Sequence, residues 1–246
     1  MNNVGMHRMA LALAATSSLC AQQWSQILTP TQPAAANCAA MAYHHATERT
    51  VWFGGQSQLT GWPIPFFHET WVFDGRGWQQ ASPTTQPSPR SFHAMVGSEW
   101  SSQSHVYLFG GGAADGSPLS DLWQWNGTTW QDLAVSPVCP ARCNPAIASY
   151  GSGLWIFGGY DPVTGDNLND TWLFGSGGWT QTADGPMARH GARAVEGDGL
   201  TITMHGSEST TGILSDPTPL DRNQEGALHQ DLRELPIARH VGRDVQ

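Results

Sequence analysis

The chain has 246 residues, enough for one sizeable domain or a short array of repeats, but only 13% are charged, against about 25% in ordinary soluble domains. Its 28 glycines, 16 prolines and 12 tryptophans fit short strands, tight turns and large aromatic fillers, and they exclude long charged helices. The net charge is −9 and every basic residue is arginine, so the acidic, lysine-free surface argues against nucleic acid as a partner.

Residues 1–21 read as an export signal. His7 and Arg8 precede an apolar run from Met9 to Ala15, and small residues follow at Ser17, Ser18 and Ala21. The run is too short to span a bilayer and no later stretch reaches about 18 apolar residues, so no membrane insertion is expected. The expected product is a secreted or periplasmic chain starting near Gln22 and keeping Cys38, Cys139 and Cys143. Three thiols cannot all pair within one molecule. Cys139 and Cys143 are spaced for a loop disulfide, with inert thiols as the alternative, and a single Cys-x-x-x-Cys does not define a zinc site.

From there the chain repeats. An apolar strand ends in Phe53-Gly54-Gly55, in Phe109-Gly110-Gly111 and in Phe157-Gly158-Gly159, at spacings of 56 and 48. Downstream of each lies a tryptophan pair seven apart: Trp71 and Trp78, Trp123 and Trp130, Trp172 and Trp179. A hairpin turn separates each pair, at Asp74-Gly75, Asn126-Gly127 and Gly175-Ser176. An acid stands two before each first tryptophan (Glu69, Asp121, Asp170), and an arginine opens the next unit (Arg90, Arg142, Arg189).

Each unit reads as four short antiparallel strands, expected in the second at Phe92–Val96, Val106–Phe109, Leu122–Trp125 and Thr129–Leu133. Such a unit cannot bury both faces alone, so units must pack face to face around an axis, with the tryptophans as fillers between them. This pattern over residues 22–216 resembles the kelch repeat, which implies an all-β propeller. Kelch propellers mostly have six or seven blades, and about four repeats are recognisable here.

The fourth unit opens at Arg189, and Ile202–Gly206 falls where a Phe-Gly-Gly strand belongs; Thr218 then replaces the expected tryptophan. Trp24 lies 12 before Ala36, as Trp78 lies 12 before Arg90, so Trp24–Leu28 reads as an outermost strand that completes the last blade and closes the ring. Residues 217–246 lack Phe, Trp and Tyr and read as a charged tail.

Chemistry is sparse in the sequence. The ten histidines show no ligand spacing, and Asp161–Asp170, though rich in Asp and Asn, lacks the spacing of a calcium loop, so no metal and no cofactor is expected. Nucleophile and phosphate-loop motifs are absent. Asp74-Gly75-Arg76-Gly77-Trp78 approaches the aspartate box of sialidases, but Val72 stands where its serine belongs. The copper site of galactose oxidase, another kelch propeller, finds no matching stretch.

Six residues are candidates for binding. Arg90, Arg142 and Arg189 begin innermost strands, where they either ring the axial channel or pair with Glu69, Asp121 and Asp170 between blades; the shared period favours pairing. Trp62, Phe66 and Phe67 lie in the first unit's longer loop, Gly61–Phe67, either as an exposed patch for a protein or a glycan or as a plug in the channel mouth. The reading is therefore an exported, non-catalytic binding propeller. Its alternatives are a small exported enzyme like the kelch-type sialic acid mutarotases, or a truncated propeller without independent function.

Overall fold

The computed structural model describes residues 27–213, apart from 58–63, 99–103, 137, 183, 186, 197–201, 206–207 and 210–211. The signal at 1–21, the tail at 217–246, Trp24 and Trp62 lie outside the described residues. The chain is all-β. Blade one comprises β1 (Ala36–Asn37), β2 (Ala40–His44), β3 (Arg49–Phe53), β4 (Gln56–Ser57), β5 (Thr70–Phe73) and β6 (Trp78–Gln80). Blade two comprises β7 (Arg90–Ser91), β8 (Ala94–Ser98), β9 (His105–Ala113), β10 (Pro118–Trp125) and β11 (Trp130–Asp132). Blade three comprises β12 (Ala146–Tyr150), β13 (Gly153–Asp161), β14 (Asp166–Gly175) and β15 (Gly178–Gln181). The fourth unit contributes β16 (Arg193–Glu196), β17 (Ile202–His205), β18 (Glu208–Ser209) and β19 (Gly212–Ile213).

Within each blade the strands follow chain order and pair antiparallel, as β2-β3-β5-β6, β8-β9-β10-β11 and β12-β13-β14-β15. In blades two and three the second and third strands run longer than expected, because the ladder continues past the double glycine. Register shifts between Leu119 and Leu122 and between Phe157 and Gly159 absorb the extra residue, and pairing resumes to Ala113 and Asp161. The first glycine of each pair is obligatory: Gly54, Gly110 and Gly158 have φ near +60°, and a Cβ would come within 2.6–2.8 Å of the carbonyl oxygen of Arg90, Arg142 or Arg189 in the next unit.

Strand alternation gives blades two and three two buried faces each. Val51, Phe53 and Val72 of blade one meet Met95, Val106, Leu108, Trp125 and Trp130 of blade two. The reverse face of blade two, with Ala94, Tyr107, Phe109 and Leu122, meets Ile147, Leu154, Ile156 and Trp179 of blade three. Trp155 and Phe157 then cover Ala192 of the fourth unit. In blades two and three only the second tryptophan of the pair is the filler: Trp130 and Trp179 are fully buried, whereas Trp123 and Trp172 are half-buried and donate their indole N–H to Asp121 and Asp170; in blade one both Trp71 and Trp78 are half-buried.

A thread of main-chain bonds runs along the inner strands. Phe92 N–H donates to Cys38 O, Asn144 N–H to Phe92 O, and Gly191 N–H to Asn144 O, at 2.7–2.9 Å. All four residues are left-handed, with φ between +50° and +74°.

Candidate binding face

Antiparallel order places the loops between second and third strands on the same face as the blade-to-blade connections, and the hydrogen bonds join them there. Arg90 N–H donates to Phe67 O, Arg142 N–H to Leu119 O and Arg189 N–H to Leu168 O. The loop of blade one is a hairpin closed by Ser57 N–H to Pro65 O, the Gln56–Phe66 bridge and Phe67 N–H to Gly55 O. The equivalent hairpin of blade two closes at Ala113 and Ser117, around the short tip 114–116; that of blade three closes at Asp161 and Asp166. Blade one therefore carries the longest tip, which includes Trp62. The repeat register runs further into this loop than its sequence indicates: Phe67 makes the main-chain contacts of Leu119 and Leu168, and both Phe66 and Phe67 are half-buried rather than held out on the insertion.

The same face holds exposed apolar side chains that spacing did not single out: Val138 and Met187 on the two later connections, and Val163 on the tip of blade three. They lie outside the repeat-locked positions, which is why the periodic reading passed over them.

Beneath this face lie the arginines. Arg90 is fully buried and uses all five N–H groups: Nε to Ser88 O, Nη1 to Gly110 O and Asp121 Oδ1, and Nη2 to Ser88 Oγ and Asp121 Oδ2, the carboxylate contacts at 2.7 Å. Arg142 repeats the arrangement with Pro140 O, Gly158 O and both oxygens of Asp170. Each pair spans a single sheet, across the double-glycine strand, and not the gap between blades as expected. Buried this way, neither guanidinium is presented to the channel.

Burial alone would raise the Asp121 and Asp170 carboxyls, but the arginines, followed by the indole N–H of Trp123 or Trp172, hold both below the usual carboxylate range. Arg189 is partly buried and bonds Met187 O; Asp216, the matching acid by register, lies outside the described residues. In blade one Ala36 occupies the arginine's register, pairing with Ser57 as Arg90 pairs with Ala113, so Glu69 has no guanidinium there and accepts the adjacent His68 N–H.

Further ligand candidates are engaged locally. Asp161 caps Val163 N–H, Asn167 bonds His190, and Asp170 belongs to Arg142. Among the described residues, no three His, Cys, Asp or Glu side chains are grouped to hold a metal. Cys38, Cys139 and Cys143 are unbridged, which favours inert thiols over the loop disulfide; burial raises the Cys139 and Cys143 thiols to about 12 and 11 and keeps them protonated. His93 lies buried beside Phe53 in the seam between blades one and two, its ring nitrogens without hydrogen-bond partners. Among the described residues, no helix is long and apolar enough to cross a membrane.

Comparison with known proteins agrees with this geometry. A model described as the KLHDC2/KLHL20/DRC7 Kelch-repeats domain matches residues 73–225. A tRNA wybutosine-synthesizing protein 4 from Aspergillus fumigatus is 28% identical over 128 residues, 49% of this chain and 12% of that protein. Its namesake from Emericella nidulans is 35% identical over 125 residues, 46% of this chain and 11% of that protein. The chain thus spans about a tenth of the length of these curated relatives.

Proposed function

The chain belongs to the kelch-repeat family, and on that premise we propose that it is a non-catalytic, extracytoplasmic binding module that grips a protein partner with the face carrying the second-to-third-strand tips. The observation that carries this reading is that Val138, Val163 and Met187 are all exposed on loops of that face. Apolar side chains held on short, hydrogen-bonded loops lose little entropy when covered, which suits them to recognition. Kelch domains generally bind proteins, which favours a protein over a glycan at this face.

Catalysis finds little support near it, because the acids beneath the face are committed to arginine and indole donors. The tRNA chemistry in the relatives' names is not carried over, since the matches cover 12% and 11% of those proteins and this chain is acidic and lacks lysine. Export rests on the apolar run Met9–Ala15 and the small residues after it.

The test is affinity capture from the extracytoplasmic fraction with the parent and with a Val163→Asp/Met187→Asp chain. A protein retained in stoichiometric amount by the parent and lost by the variant, at unchanged thermal stability, supports the reading. Equal retention by both would place the binding surface elsewhere. N-terminal sequencing of the exported chain should begin between Ala21 and Gln23, whereas a soluble cytosolic chain starting at Met1 would refute export.

A further inference from the structure

Blade one keeps the receiving half of a contact whose arginine it lacks. In blades two and three the guanidinium crosses its own sheet at the double glycine, joining a carboxylate of the third strand to the carbonyl oxygen of the first glycine. The residue two before the arginine adds a further oxygen, Ser88 O or Pro140 O. Main-chain register fixes the equivalent atoms in blade one. Thr70 pairs with Phe53 as Leu122 pairs with Phe109, so Glu69 stands where Asp121 does, and Gly54 O corresponds to Gly110 O. Ala36 pairs with Ser57 as Arg90 pairs with Ala113, which puts Ala34 O at the position of Ser88 O.

The carboxylate of Glu69 is unclaimed by any cation of the described residues. It accepts only the neighbouring His68 N–H, at 3.2 Å. The indole of Trp71, at the register of Trp123 and Trp172, makes no bond to it, whereas both of those indoles donate to their acids. The first unit's own arginines are at the wrong ends of their strands. Arg49 opens β3, whose other end leads into Gly54, and Arg76 lies in the turn after β5, whose start follows Glu69. Residues 58–63 of the adjacent tip include no basic residue. Glu69 is half-buried and lies two residues from Phe67, whose carbonyl joins this loop to the next connection on the binding face.

We propose that blade one takes up an arginine side chain of the protein partner, its guanidinium joining the Glu69 carboxylate to Gly54 O as Arg90 joins Asp121 to Gly110 O. The inference rests on the reading that this face grips a protein, and it names the side chain gripped. Arginine fits this position better than lysine, because each occupied site uses a planar fork: two bonds to the carboxylate and a third to the glycine carbonyl. The free chain forgoes in blade one a contact that its other blades make, and the incoming side chain supplies it on the same main-chain register.

Nuclear magnetic resonance of the full chain, with N-acetyl-arginine methylamide as the probe, tests the proposal. The probe should shift the Glu69 carboxyl and Trp71 indole resonances, and should do so more strongly than the corresponding lysine amide. Glu69→Gln should weaken its binding about tenfold, the loss of a charge-assisted contact. Ala36→Arg supplies the guanidinium from the chain itself. It should block the probe and raise the thermal midpoint by several degrees, a gain that disappears when Glu69→Gln is combined with it. No shift at millimolar probe, equal shifts by the arginine and lysine amides, or equal binding to the parent and Glu69→Gln would overturn the proposal. An Ala36→Arg chain that folds and binds the probe as the parent does would overturn it too. The capture experiment keeps the two readings apart. A partner lost by Val163→Asp/Met187→Asp but retained in full by Glu69→Gln would leave the binding face standing and remove the arginine site. Probe binding that needs Glu69, with capture indifferent to Val163 and Met187, would uphold the site and refute the face.

Discussion

Replacing Arg142 with methionine is the sharpest probe of what holds a blade together. The Arg142 side chain is 1% exposed and the Asp170 carboxylate 16%, and their two contacts, at 2.6 and 2.8 Å, are bidentate. Removing one partner of a buried pair costs about 3–5 kcal/mol, because the remaining charge stays desolvated. Gly158 O and Pro140 O lose donors as well, and Asp170 is less exposed than Asp121 at 28%, so the loss should fall in the upper half of that range and exceed the loss from Arg90→Met. Replacing both partners, as Arg142→Met/Asp170→Leu, removes the stranded charge and should recover all but about 1–3 kcal/mol, the remainder reflecting the Trp172 indole left without its acceptor. Urea unfolding followed by tryptophan fluorescence measures each variant. The folded-state carboxyl is depressed, so the stabilisation is complete above the ordinary aspartate range, near pH 4, and fades as pH falls through the lower folded value. The gap between parent and Arg142→Met should close over that acid interval. A loss below about 1 kcal/mol, typical of exposed pairs, would refute a buried structural role.

Burial, with the Arg90 charge second, pushes His93 down to about 3, so the unfolded chain takes up a proton below about pH 6.5 that the folded chain resists. Stability should drop by on the order of 4 kcal/mol between pH 6.5 and 3, and His93→Ala, the residue at the matching Ala39 and Ala192, should flatten that slope in pH-dependent unfolding. Thr70→Val strands the Trp130 indole N–H and should cost about 1–3 kcal/mol by thermal unfolding, whereas no change would show that the bond is immaterial. In thiol labelling of the native protein Cys38, the half-buried cysteine, should react first, with Cys139 and Cys143 labelled only on unfolding; prompt labelling of either would contradict their burial.

The fold was legible because its determinants are local and repeated. Each Phe-Gly-Gly, tryptophan pair and turn marks a strand end through constraints that act within a few residues. Strand length was less so: the rungs beyond Gly111 depend on Arg90 pairing with Ala113 across some twenty residues, which no local pattern reports. Period identified the arginines and acids as partners but placed the pairs between blades, because spacing shows that two residues co-occur and not which sheet carries them. For the face, the insertion around Trp62 was visible as extra length, yet Phe66 and Phe67 belong to the repeat register and Val138, Val163 and Met187 carry no periodic signal at all. Departures from a repeat are legible only where they change its length.

The thread through Cys38, Phe92, Asn144 and Gly191 has a direction, since every N–H points back toward the preceding unit. Any unit excised at its arginines therefore carries one open donor and one open acceptor, at equivalent atoms whichever unit is taken. Tandem copying of such a segment satisfies both without a single substitution, which gives gene duplication a ready-made seam. Because the thread uses main-chain atoms alone, side chains as different as those of cysteine, phenylalanine and asparagine occupy the axis in the same left-handed conformation. Drift at these positions is cheap, while an insertion beside one of them breaks two units' contacts at once.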